Sequence, residues 1–181
     1  DDETSRGLGD VYKRQWEIRL KCDGSQMVWP FEPSLLNPAS LDLRLGDHLM
    51  IESTESPELQ RIDISAKTKD DPYLLLPSEF CLAETLERFD LPEDISAQFV
   101  LKSSRAREGL NHLLAGWCDP GWHGSKLTLE LKNERKHHPL PLYPGLKIGQ
   151  MVFHEMNSVP AQSYALVGHY NDHLTVMPSA A

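Results

Sequence analysis

The chain has 181 residues, of which 40% are apolar and 25% charged, as in one globular domain large enough for a sizeable core. Its 18 Lys and Arg against 27 Asp and Glu give a net charge of −9. That balance argues against a nucleic-acid polymer or an anionic membrane as main partner, since both need a basic footprint, but permits a small anionic ligand held by a local cluster.

Residues 1–15 are polar and follow no period; they read as an N-terminal arm or a non-native remnant, leaving a single domain over 16–181. A helix is expected from Trp16 to Asp23, with Trp16 and Leu20 on one face and Gly24 to end it. Leu41, Leu43 and Leu45 then alternate with polar residues, as a half-buried strand requires. Short apolar runs at Tyr73–Leu76 and Phe80–Ala83 read as further strands, and Leu91-Pro92-Glu93-Asp94 as a turn. A second short helix is expected from Ser103 to Gly109, with serine as N-cap and glycine as stop. After the Asp119-Pro120-Gly121 turn, Leu127, Leu129 and Leu131 again alternate with polar residues. Tyr143-Pro144-Gly145 is a turn and Met151–Phe153 a last strand. With 13 prolines and 11 glycines breaking up long helices, the pattern points to an all-β barrel or sandwich. The odd, widely spaced Cys22, Cys81 and Cys118 indicate no disulfide framework, and no apolar run approaches the roughly 18 residues of a membrane span. With the acidic start Asp1-Asp2-Glu3, unlike a signal peptide, the expected location is cytoplasmic.

Several chemistries lack their residues. No Gly-x-x-x-x-Gly-Lys-Ser/Thr loop and no Gly-x-Ser-x-Gly elbow occurs. Zinc deaminases need His-x-Glu followed by Pro-Cys-x-x-Cys to hold the metal and activate water, and neither part is present. His137-His138 follows charged residues and precedes Pro139, so a solvated turn is the plainer reading than a metal site.

Three places can carry chemistry. Lys102-Ser103-Ser104-Arg105-Ala106-Arg107 gathers basic and hydroxyl groups where amide hydrogens and arginine forks can hold a polyphosphate, although composition alone favours a basic surface turn. Glu130 lies on the polar face of the 127–131 strand, where partial burial would raise its pKa and make it a general base; pattern alone favours a solvent-facing glutamate. Asp119 and Trp122 flank the Pro120-Gly121 turn, where an aspartate usually bonds its own backbone and a tryptophan usually joins the core. Cys118 has no identifiable base to make it a nucleophile.

Asn37 to Gly46, Lys102 to Leu110 and Asp119 to Glu130, in this order and spacing, together resemble the dCTP deaminases, which share a fold with the trimeric dUTPases. Trp29-Pro30-Phe31 and Tyr143 to Gln150 extend the resemblance, which covers about 16–181. It implies a dUTPase-like, jelly-roll-related distorted β-barrel with one or two short helices, assembled as a homotrimer with active sites between subunits. The implied reaction is zinc-free deamination of dCTP to dUTP and ammonia, with Glu130 as general base. Lys102, Ser103, Ser104 and Arg107 would hold the triphosphate, with Mg²⁺ carried by phosphate oxygens and no direct protein ligand. Asp119 would sit near the deoxyribose and align water, Trp117 and Trp122 would line the substrate site, and Tyr170 of Gly168–Asn171 would touch the phosphates. Lys102 stands where the family commonly has arginine, and His169 where lysine is common. Ala115-Gly116-Trp117 lacks the arginine of dUTP-releasing deaminases and resembles the bifunctional enzymes that continue to dUMP. The alternatives are therefore a bifunctional dCTP deaminase/dUTP diphosphatase or a dUTP diphosphatase alone.

Overall fold

A computed structural model describes residues 15–179. The expected arm thus lies outside the described residues apart from Gln15, which opens helix α1 (Gln15–Ser25). Ile18 and Cys22, one turn apart, are the buried residues that seat this helix. The side chains of Trp16 and Leu20, the expected apolar face, lie outside the described residues. Gly24 does not end α1, which runs one residue past it; Gln26, at φ +52°, makes the turn instead.

Nine strands form one antiparallel sheet: β1 (Val28–Trp29), β2 (Leu41–Ile51), β3 (Gln60–Asp63), β5 (Phe80–Phe89), β6 (Ile95–Leu101), β7 (Leu110–Asn111), β8 (Trp117–Cys118), β9 (Ser125–Asn133) and β11 (Lys147–Glu155). Their order is β7-β9-β5-β2-β11-β6-β8, with β1 on β5 and β3 on β2. Two further strands, β4 (Tyr73–Leu75) and β10 (Leu140–Leu142), make a separate ladder. The sheet curls because β2 changes partners along its length: Leu41–Arg44 pair with β11, and the half from Leu45 onward pairs with β5 and β3. A register shift between Leu45 and Leu49 marks the bend, as β-bulges do. Gly46 makes it possible, since a Cβ there would stand 2.7 Å from Glu84 Cγ and 3.0 Å from the Thr85 carbonyl.

The expected mostly-β class with few short helices is thus observed. The inner face carries Leu43, Leu45, Leu49, Leu129, Leu131, Met151 and Phe153, all fully buried. The strand expected at Phe80–Ala83 continues to Phe89 although Glu84, Thr85 and Glu87 break its apolar run, because each of these polar groups is fully buried with a partner. Helix α2 (Ser103–Glu108) ends at Gly109, φ +101°, as expected. Its N-cap position is taken by Lys102 and not by a serine, and no side chain caps it. His137 and His138 lie in the exposed β9–β10 connection.

Helix α3 (Tyr164–Val167) is capped by Ser163 Oγ, which accepts from the Ala165 amide at 3.2 Å. Beyond it the chain runs alongside β9 as an irregular strap. Lys126 N donates to His173 O at 2.9 Å, His173 N to Ser125 Oγ at 3.0 Å, and Met177 N to Thr128 Oγ1 at 3.3 Å. Among the described residues no helix is long and apolar enough to cross a membrane.

Candidate active site

The polar face of β9 looks into a cleft of about 410 Å³, walled by the 115–122 segment, Tyr164 of α3 and the strap residues Tyr170, His173 and Met177–Ser179. Five of the residues singled out in the sequence line it: Glu130, Asp119, Trp117, Trp122 and Tyr170. Period-two alternation explains the first placement, since buried Leu129 and Leu131 hold β9 on the core and turn Thr128 and Glu130 outward.

Glu130 is only 28% exposed. Its Oε2 is buried and accepts no hydrogen bond, and burial pushes its carboxyl above the ordinary glutamate range. Beside it stands His112, whose Nε2 lies 3.5 Å from Oε2 and is itself buried without a hydrogen bond. Burial brings His112 down to about 4, so the ring is neutral at neutral pH.

Asp119 and Trp117 stand two residues apart at β8, with side chains on the same side. The indole Nε1 donates to Asp119 Oδ1 at 2.9 Å. Between them Cys118 points inward, where burial first and Asp119 second push its thiol up to about 12, so it is inert as a nucleophile. Trp122 is both core and wall: it stacks on Phe89 at 5.4 Å, and its Nε1 holds the strap by donating to Tyr170 O at 2.9 Å. Lys126 at the cleft floor is spent on Glu84, 2.7 Å away.

Lys102, Ser103, Ser104 and Arg107 do not line this cleft. Lys102 Nζ is 2.6 Å from the buried carboxylate of Asp42, and Arg105 pairs with Glu108 at 2.8 Å. Ser103, Ser104 and Arg107 are exposed on α2, and Arg107 pairs with no described residue. Within one chain, therefore, the half-buried acid and the serine–arginine corner are separate surfaces.

Sequence reasoning did not single out His112, Thr128, Tyr164 or His173. His112 carries no local signal, because what sets it apart is a partner 18 residues on. His173 and Tyr164 lie in a segment without period.

A curled antiparallel sheet thus aims a desolvated carboxylate and an indole-held aspartate into one cleft. The chain belongs to the dCTP deaminase-like family, whose model matches residues 13–156. It is 41% identical over 147 residues to a protein of Methanoculleus marisnigri named "dCTP deaminase, dUMP-forming", covering 77% of this chain and 78% of that one. A protein of the same name from Acidothermus cellulolyticus is 37% identical over 161 residues, 82% of each chain. The 2'-deoxycytidine 5'-triphosphate deaminase of Agrobacterium tumefaciens shares the fold, with a TM-score of 0.66, 21% identity and 80% of this chain aligned; the alignment spans 48% of that chain, about half its length. The names of the sequence relatives overturn the expectation that dUTP is the final product.

Proposed function

We propose that this chain converts dCTP and two waters to dUMP, pyrophosphate and ammonia. The observation that carries this reading is the placing of Glu130 and Asp119 in one cleft, the first desolvated and the second held by Trp117. The relatives named dUMP-forming support the same product.

Glu130 takes a proton from water as its oxygen attacks the amine-bearing carbon of cytosine, then returns protons to the ring and to the departing ammonia. Its raised pKa favours that cycle, because a base must also release the proton as an acid. Asp119, with Oδ1 fixed by the indole, aligns the second water on the phosphorus next to the sugar, and pyrophosphate leaves. Tyr170 and Trp122 wall the nucleotide. Among the described residues no three His, Cys, Asp or Glu side chains gather around a metal. Mg²⁺ held by the phosphate oxygens would supply charge neutralisation for the departing pyrophosphate.

The triphosphate needs Arg107, Ser103 and Ser104, so the site is completed by α2 of a neighbouring copy in a homotrimer. Supporting this, Leu114 beside the cleft segment is 98% exposed, and both Leu113 and Leu114 hold positive φ, +32° and +62°.

The test is incubation with dCTP and Mg²⁺, resolving dUMP from dUTP and measuring ammonia and pyrophosphate. Stoichiometric dUMP, ammonia and pyrophosphate are expected. Accumulating dUTP without pyrophosphate would overturn the second step, and no ammonia would overturn the first.

A further inference from the structure

Two buried polar atoms without hydrogen bonds lie 3.5 Å apart behind the cleft: Glu130 Oε2 and His112 Nε2. Such atoms are costly alone, and native folds rarely leave two side by side without a use. The fold places them with care. The short ladder of β7 on β9 pairs Leu110 with Asn133 and Asn111 with Lys132, so the next residue, His112, arrives beside the Leu131–Glu130 end of that register. Asn111 fixes the exit from the ladder: its side chain donates to Glu134 Oε1 at 3.0 Å and accepts from the Leu113 amide at 3.2 Å. The imidazole is then clamped against Phe99, with ring centroids 4.5 Å apart, and is only 6% exposed.

We propose that His112 is a positioning residue for Glu130, donating its Nε2 hydrogen to Oε2 so that Oε1 is left to the reacting water. This role rests on the deaminase reading above. The 3.5 Å separation is long for a hydrogen bond, but catalytic hydrogen bonds in ligand-free sites are often long and tighten when substrate excludes water. A neutral ring suits the task. It presents one N–H to the carboxylate without the fixed positive charge that would hold Glu130 ionised and weaken it as a base. When Glu130 takes up the water's proton, the negative charge on Oε2 fades and the contact loosens, so His112 holds the reactive form more tightly than the spent one. His112 does not line the cleft and acts only through Glu130.

Three variants test this, assayed for ammonia release from dCTP with the thermal midpoint recorded alongside. H112L keeps bulk and removes both nitrogens; H112Q places an amide donor near the Nε2 position; H112N places it near Nδ1. The expected result for H112L is a fall in kcat of about 100-fold with KM changed less than about 3-fold. H112Q should recover about tenfold or more of that loss and H112N should not, at matched thermal midpoints. A kcat for H112L within about 3-fold of the parent, or equal impairment of H112Q and H112N, would overturn the assignment while leaving the deaminase reading intact. If H112L does not fold, the comparison of H112Q with H112N decides alone. A parent chain that releases no ammonia removes both.

Discussion

Lys102 Nζ lies 2.6 Å from Asp42 Oδ1, tying the residue before α2 to a buried carboxylate 60 positions earlier on β2. Asn37 Nδ2 also donates to that oxygen, at 2.8 Å, and Lys147 Nζ stands 3.4 Å from Oδ2. Burial pushes the Asp42 carboxyl up, but the hydrogen bonds from Lys102, Asn37 and Lys147 outweigh it and hold the pKa below the ordinary range. The group read in the sequence as a phosphate contact is thereby occupied with fixing where α2 begins. K102A should therefore lower the thermal midpoint, since a buried charge loses its partner at a cost of about 2 kcal/mol, while the KM for dCTP changes less than about 3-fold. A large KM effect without a stability loss would return Lys102 to the phosphate site. The depressed Asp42 pKa also sets the direction with pH: this stabilisation is present above the unfolded value and is lost as pH falls through the folded one.

Arg107 is the opposite case, exposed and paired with no described residue. A guanidinium meeting a phosphate through charge-assisted hydrogen bonds contributes about 1.5–3 kcal/mol, so R107A should raise the KM for dCTP about tenfold or more. The thermal midpoint should hardly move. Mixing R107A with an E130Q protein tests shared sites directly: recovered turnover in mixed assemblies is expected, and none would place both residues in one protomer's site.

Glu130 yields a prediction in which stability and activity part company. Burial raises its folded pKa, so the ionised form is disfavoured in the native state. The stability linked to this group is present at low pH and lost as pH rises through the folded pKa. E130Q, which stays neutral, should melt higher than the parent at pH 7 and level with it near pH 4, measured by scanning calorimetry. The same variant should lose deamination by roughly 10²–10⁴-fold. In the parent the acid limb of kcat should lie above the ordinary glutamate range, since only the carboxylate can take the proton.

The parts of the fold legible in the sequence are those in which one face meets the core. Leu127, Leu129 and Leu131 announce β9 and place Glu130 on its other face, and Gly109 announces the end of α2. Strand β5 was visible only in its first residues because Glu84, Thr85 and Glu87 interrupt the pattern. The partners of Glu84 and Glu87, namely Lys126, the Val176 amide and Arg44, stand more than 40 positions away, where no local period can report them. His112 escaped notice for the same reason. Glu130 could be nominated by pattern, but its burial follows from the strap and from the 115–122 segment, which lack regular patterning.

The strap supplies the last prediction. Val176 is fully buried against Met50 and Leu82, and its amide donates to Glu84 Oε2 at 2.7 Å. Glu84 itself is held on its other oxygen by Lys126 at 2.7 Å and His48 at 3.2 Å. The next three residues, Met177 to Ser179, line the cleft. Val176 therefore acts as the anchor that keeps the cleft's outer wall in place, and the barrel core does not depend on it. V176D removes about 1.5–3 kcal/mol of apolar burial and sets a charge beside the Glu84 carboxylate, more than a strap held by few contacts can absorb. Local release is the expected outcome, because a segment this lightly packed opens well below the global unfolding free energy. Limited proteolysis should then cut V176D between residues 168 and 179 much faster than the parent. The thermal midpoint should stay within a few degrees, and kcat/KM for dCTP should fall about tenfold as the wall is lost. Unchanged proteolysis with unchanged turnover would mean that the strap stays down without its anchor, and that its other hydrogen bonds, to Ser125, Trp122 and Thr128, suffice.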